Sequence, residues 1–172
     1  MYATYEQTSG KPTLYFERRI LHPVEAVWSA ITQSDELAQW FPCAVELDLR
    51  VGGEMKFTFP HDFEDWPKTL PGRVTELDPP RVFAFYWGDD HLRFELEEAG
   101  AGSGCTLRFT VELDSPDKAA RDSAGWHVCL DGLERLLERA PSDRPYDGGG
   151  WDAYYEEYKR RGMPAAAPIP DR

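Results

Sequence analysis

The chain has 172 residues, with 19 Lys and Arg against 31 Asp and Glu, a formal net charge of −12. That length suits one domain with a core of its own and would cramp a two-domain enzyme. The acidic balance argues against nucleic acid and against anionic membrane surfaces as partners, because both are held through Lys and Arg.

Residues 1–12 read as a flexible arm. Leu14, Phe16 and Ile20 then alternate along a strand over 14–21, and Arg18 falls on their face. Pro23 suits the first turn of a helix. Val24, Val27, Trp28 and Ile31 continue it to residue 32 at helical spacing. Ser34 or Asp35 can cap a second short helix through Leu37, Trp40 and Phe41, before Pro42 interrupts it.

The middle is rich in strands. Val45, Leu47 and Leu49 alternate with charged neighbours, and Gly52-Gly53 turns the chain into Met55, Phe57 and Phe59. The polar loop 61–68 leads to a strand from Gly72 to Leu77, and Asp78-Pro79-Pro80 is a turn. Phe83, Phe85 and Trp87 share one side of the next strand. Gly88-Asp89-Asp90 turns it into Leu92, Phe94 and Leu96. After the Gly-rich stretch 99–104, Cys105, Leu107, Phe109, Val111 and Leu113 alternate along a further strand. About seven strands in meander order predict one antiparallel sheet with a single apolar face.

A long helix follows. Its stripe of Trp126, Cys129, Leu130, Leu133, Leu136 and Leu137 predicts packing across that face. Residues 141–150 read as a linker. Trp151, Tyr154, Tyr155 and Tyr158 then form a one-faced aromatic helix over about 150–161. It could fold back on its own domain or pack on a second subunit or partner groove. The Pro- and Ala-rich end is expected to be disordered.

The N-terminus lacks the basic and apolar regions of a secretory signal, and no apolar run is long enough to span a membrane. Cys43, Cys105 and Cys129 form no CxxC pair, so buried free thiols in a cytoplasmic protein are expected.

Five segments carry a resemblance: RRILHPVEAVWSAIT (18–32), SDELAQWF (34–41), LRVGGEMKF (49–57), GRVTELDPPRVFAFYW (72–87) and GWHVCLDGLERLLE (125–138). In this order they resemble the START-like (SRPBCC) superfamily, in the branch related to the C-terminal domain of the activator of heat-shock protein 90 ATPase. The resemblance implies an α+β helix-grip fold. A curved antiparallel sheet wraps on a long C-terminal helix, and two short helices follow the first strand. It places that domain at about 13–140 and leaves 141–172 as an addition. It also implies a cavity between sheet and long helix for a small hydrophobic or amphipathic ligand; non-enzymatic binding without a cofactor is the first expectation. Two alternatives remain open. One is a protein-interaction module with a chaperone-like partner; the other is a polyketide cyclase- or hydrolase-like enzyme. Monomer and homodimer are both compatible with the sequence.

The inner-face positions then nominate Phe57, Phe59, Phe85, Trp87, Phe94, Trp126 and Leu130 as ligand contacts, with Met55, Phe83 and Leu92 beside them. Trp40 and Phe41 would close one end. A fully packed aromatic core is the competing reading of the same residues. An inward Arg18 needs a partner: an acidic ligand headgroup, a protein carboxylate such as Glu76, or water reached at the sheet rim.

Other chemistry finds less support. His61, Asp62, Glu64 and Asp65, with Asp89, Asp90 and His91, match no metal-ligand spacing. His127 shares the polar flank of its helix with Asp131 and Glu134, which suits a catalytic base poorly. Cys43 has anionic neighbours in Glu46 and Asp48 and reads as a structural thiol. No nucleophile-elbow, zincin, Walker or dinucleotide pattern is present. Catalytic and metal-ligating residues are therefore expected to be absent.

Overall fold

The computed structural model describes residues 1–7, 10–60, 67–100, 104–138 and 150–169. Eight strands form one antiparallel sheet: β1 (Thr4–Glu6), β2 (Thr13–Ile20), β3 (Ala44–Leu47), β4 (Glu54–Thr58), β5 (Thr69–Asp78), β6 (Val82–Trp87), β7 (Asp90–Glu98) and β8 (Cys105–Glu112). Their order across the sheet is β1-β2-β8-β7-β6-β5-β4-β3. The helices α1 (Val24–Thr32) and α2 (Ser34–Leu37) therefore carry the chain from one side of the sheet to the other edge. From β3 onward each strand pairs with the next. The expected α+β arrangement is present, a curved sheet with two short helices and a long helix, α3 (Ala119–Leu137).

Period-two patterning decides which face is inner. In β2 and β8 alternate residues are buried, including Leu14, Phe16 and Ile20 opposite Val111, Phe109 and Cys105. Each large apolar side chain removed from water contributes about 1.5–3 kcal/mol before ordering costs. A one-residue slip would turn the whole row outward, so the register is firmly set.

The arm expected at 1–12 contains β1, which pairs with β2 in the register Thr4↔Tyr15 to Glu6↔Thr13. The sheet consequently has eight strands rather than about seven. A three-residue edge strand has too short an alternation to be legible in sequence. The end of the chain also packs more than its composition suggests. Met163 is buried, Ala120 N–H donates to Pro164 O at 2.9 Å, and Ala167 N–H donates to Asp117 O at 3.1 Å. Proline-rich backbone that cannot pair with itself finds partners on the start of α3. The tips 61–66 and 101–103, and the linker 139–149, lie outside the described residues.

The aromatic helix, α4 (Trp151–Arg160), lies against α3. Tyr155 and Tyr158 are buried there. Helix α3 is thus covered twice, by the sheet through Trp126, Leu130 and Leu133, and on its other side by α4 at His127 and by Met163, just beyond α4, at Ser123. No described helix is long and apolar enough to cross a membrane.

Candidate functional site

The candidate aromatic residues converge on one continuous cluster between the sheet and α3. The strands supply it in register. Phe83 faces Phe94 across β6 and β7, and Phe94 faces Phe109 across β7 and β8. The last two rings stack with centroids 4.3 Å apart and planes within 11°. Trp126 of α3 closes over them, 5.3 Å from Phe109, 5.4 Å from Phe41 and 5.6 Å from Trp87. Phe57 lies 4.5 Å from Trp87 and 5.8 Å from Phe85. Edge-to-face and offset pairs of this kind add about 0.5–1.5 kcal/mol each beyond area burial.

Burial grades along this cluster. Trp40, Phe57, Phe85, Phe94 and Leu130 are buried, and Trp40 Nε1–H donates to Ala30 O at 2.9 Å. That hydrogen bond ties the indole to α1, and its ring meets Phe94 of β7 edge-on at 6.3 Å. Phe41 is buried beside it, at 5.4 Å. Phe59 and Trp87 are only half-buried and meet at 5.6 Å. Trp126 lies on the boundary at 7% exposure. The space read as a cavity therefore holds aromatic rings, and among the described residues its accessible end is the rim formed by Phe59 and Trp87, with Trp126 buried behind it. Two open surface hollows, of about 450 and 770 Å³, lie away from these rings.

Arg18 belongs to a different place. It is buried on the inner face of β2, but its Nε lies 3.1 Å from Glu134 Oε1 of α3. Its Nη1 donates to Met1 O at 2.5 Å and Glu17 O at 3.2 Å. Nη2 has no hydrogen-bond partner; Asp131 Oδ1, at 3.8 Å, gives it a charge contact alone. The carboxylate partner suggested from sequence, Glu76, is instead bound to Arg93 at 3.0 Å on the other face of the sheet. Strict alternation from Val74 would turn Glu76 inward, but the bulge at Val74/Glu76 in β5 turns it to the outer face.

Beside Arg18, His127 is buried under α4 and the arm. Its ring stacks on Tyr154 at 3.8 Å, and Nδ1 lies 2.8 Å from the Tyr158 hydroxyl. Burial, and then the neighbouring Arg18 charge, push the imidazole down to about 4. The Tyr154 hydroxyl donates to Asp131 Oδ2 at 2.6 Å, and this bond leads the causes that hold the phenol up at about 12. Burial raises the Glu134 carboxyl despite Arg18. These titratable groups serve a helix-to-helix contact; they do not face the aromatic rim.

The remaining candidates separate. Cys43 is buried and its thiol is pushed up to about 12 by desolvation, which removes its nucleophilic form. Asp90 is held by Lys118 at 3.1 Å and by Asp114 N–H at 2.8 Å. His91 Nε2 pairs with Thr75 Oγ1 at 2.8 Å. His61, Asp62, Glu64 and Asp65 lie outside the described residues. Among the described residues no group of three or more His, Cys, Asp or Glu is placed to hold a metal ion.

Three contributors to the cluster escaped the sequence reading. Phe109 was visible as an inward strand position but was not connected to Trp126. Gly72 lies opposite Met55 and Trp87, and a Cβ there would stand 2.5 Å from Phe57 Cε2. Its missing side chain is what lets the Phe57 ring lie over β5. The available signal was a glycine inside a strand, which marks close approach. Gly132 of α3 also lies against Trp40, although a Cβ there would meet Trp40 Cβ at 3.4 Å, an ordinary contact.

Comparisons with known proteins agree with this architecture. The family described as "Activator of Hsp90 ATPase homolog 1-like protein" matches residues 21–138. No curated protein matches the sequence. Among solved structures, a conserved protein of unknown function, EF2215 from Enterococcus faecalis, superposes with a TM-score of 0.71 at 24% identity, covering 92% of this chain and 91% of that one. CalU16 from Micromonospora echinospora gives 0.67 at 20% identity, with 93% and 98% covered. An AHSA1-like protein from Aeromonas hydrophila gives 0.63 at 22% identity, with 74% and 93% covered. At these identities the likeness is one of fold.

Proposed function

The chain belongs to the Activator of Hsp90 ATPase homolog 1-like protein family, within the START-like (SRPBCC) helix-grip fold, and from that premise we propose that it binds a small hydrophobic or amphipathic molecule without catalysing a reaction. The observation that carries this reading is the half-buried Trp87. It joins the exposed rim at Phe59 to the interior rings of Phe41, Phe57 and Trp126. A flat apolar molecule would bind by stacking on that rim and sliding between Trp87 and Trp126, replacing ring-to-ring contact with ring-to-ligand contact. The driving force is burial of apolar area at about 25 cal/mol per Å², less the cost of ordering the ligand. The titratable groups nearest α3 are engaged with one another, and Cys43 is a neutral thiol, so binding is supported better than bond-making.

Native mass spectrometry of the purified full chain and titration with an environment-sensitive apolar dye test the proposal. The expected results are saturable one-to-one dye binding, displacement by flat apolar compounds, and at least tenfold weaker binding in Trp87→Ala with its circular dichroism unchanged. Non-saturable dye binding, or saturable binding indifferent to both Trp87→Ala and Phe59→Ala, would overturn it.

A further inference from the structure

The hollow of about 770 Å³ lies between the α1–α2 pair and the C-terminal end of α3, away from the aromatic rim. Its apolar lining comes from Ala26 of α1 and from Leu136 and Leu137 of α3. Leu21, next in sequence to the lining residue His22, is 76% exposed. The rim carries Asp35 and Glu36 of α2 and Glu138 at the end of α3.

Asp35 and Glu36 occupy the first turn of α2, where the helix dipole favours acids, but Glu138 is placed against local electrostatics. Glu138 is the C-cap of α3, where the helix dipole is negative and a cation is favoured. Glu134 stands one turn before it, and like charges at that spacing repel. Glu36 accepts a hydrogen bond from Ser29 Oγ at 2.9 Å. Among the described residues no Lys or Arg forms an ion pair with Asp35, Glu36 or Glu138, although ion pairs join most acidic strand positions elsewhere, such as Glu76 with Arg93 and Glu17 with Arg108. Three acids that meet no Lys or Arg among the described residues, set beside two leucines, are complementary to a basic, partly apolar occupant.

We propose that this hollow docks a basic amphipathic segment of another protein, with an apolar side chain seated against Leu136 and Leu137 and flanking Lys or Arg side chains on Asp35, Glu36 and Glu138. The unpaired carboxylates supply orientation and a fast encounter, and the leucine floor supplies the contact that persists at higher salt. The open hollow accepts one or two anchoring side chains, which suits a transient partner of modest affinity.

The test is an amide-NMR titration of the full chain with a short Leu/Lys amphipathic helical peptide, and with its Leu/Glu counterpart of the same length. Support consists of shifts confined to residues 21–39 and 133–138, binding that weakens as salt is raised, and no binding of the Leu/Glu peptide. The combined variant Asp35→Asn, Glu36→Gln and Glu138→Gln should weaken Leu/Lys binding about tenfold or more. Neutralising three exposed acids on the outer face of the sheet, Glu46→Gln, Glu54→Gln and Glu97→Gln, should leave it unchanged. Equal loss with the two triple variants, or shifts spread over the surface, would reduce the effect to net charge and overturn the proposal. A change in sedimentation of the free protein in the hollow variant would assign the hollow to a second copy. Peptide binding that appears only after Arg139→Gln and Arg144→Gln would assign it to this chain's own sequence. Either result would overturn the proposal as well.

Discussion

The Tyr158 hydroxyl joins three parts of the chain at one atom, accepting the Ala3 N–H at 3.0 Å and lying 2.8 Å from His127 Nδ1. With one lone pair used by Ala3, the hydroxyl proton is free to donate to Nδ1. The imidazole then carries its own proton on Nε2, 3.8 Å from Asp131 Oδ1. The arm, α3 and α4 are therefore fastened by a helix that lies outside the residues matching the family.

Tyr158→Phe removes that hydroxyl and keeps the ring. It leaves the Ala3 N–H and His127 Nδ1 buried without their partner, at a cost of about 1–3 kcal/mol each when unsatisfied. Urea denaturation should show a loss of about 2 kcal/mol or more, whereas Tyr155→Phe, whose hydroxyl makes only a 3.4 Å contact to Ala165 O, should lose far less. Equal losses would mean that packing of the rings, and not the hydroxyl bridge, fastens α4.

Acid should loosen the same contact. His127 falls from 6.5 to about 4 in the folded chain, chiefly through burial and then through Arg18, with Asp131 opposing and the Met1 amino group assisting. A histidine depressed by folding stabilises the fold fully above its unfolded value, and the contribution is lost as pH falls from 6.5 towards 4. The urea midpoint of the wild type should fall across that window more steeply than that of His127→Gln. Asp90, raised to about 6 mainly by burial, acts in the opposite sense and is common to both proteins, so their difference isolates His127. Parallel pH curves would disprove the assignment.

Arg18 and Glu134 offer a double-mutant cycle. Arg18→Met leaves Glu134 facing Asp131 without the cation between them, and should destabilise by about 2 kcal/mol given that Glu134 is 40% exposed. Adding Glu134→Gln should recover part of that loss, since the uncompensated charge is gone. Strict additivity of the two changes would show that the pair is structurally present but energetically idle.

Gly72→Ala should be among the most damaging alanine substitutions in the sheet. The new Cβ would stand 2.4 Å from Tyr86 O and 2.5 Å from Phe57 Cε2, so both strand and ring must move. Overpacking of this kind costs about 1–3 kcal/mol. Tryptophan fluorescence should shift as well, because Phe57 lies 4.5 Å from Trp87. A neutral substitution would mean that the ring has room to retreat.

Much of the fold was legible because it depends on periodicity. The alternation of Cys105, Leu107, Phe109 and Val111 specifies a strand with one dry face, and the stripe through Trp126, Leu130 and Leu133 specifies the helix that covers it. The candidate rings gathered where their strand faces predicted. Arg18 did not join them, because period two fixes the face of the sheet but not the position along it, and β2 meets α3 at Glu134 rather than at Trp126. Glu76 was misplaced because a bulge in β5 is invisible to a strict alternation.

The sequence by itself determined the class of fold, the inner face of each long strand except the bulged β5, and the aromatic helix at the end, all of which follow from local spacing. Only the tertiary structure decided how the six Trp, eight Tyr and nine Phe are used. Ring packing is a matter of volume and distance between strands remote in sequence, and it fills the interior except at Phe59 and Trp87. It also decided that His127 is a buried neutral group, because the residues that desolvate it, Tyr2, Tyr154 and Tyr158, arrive from both ends of the chain.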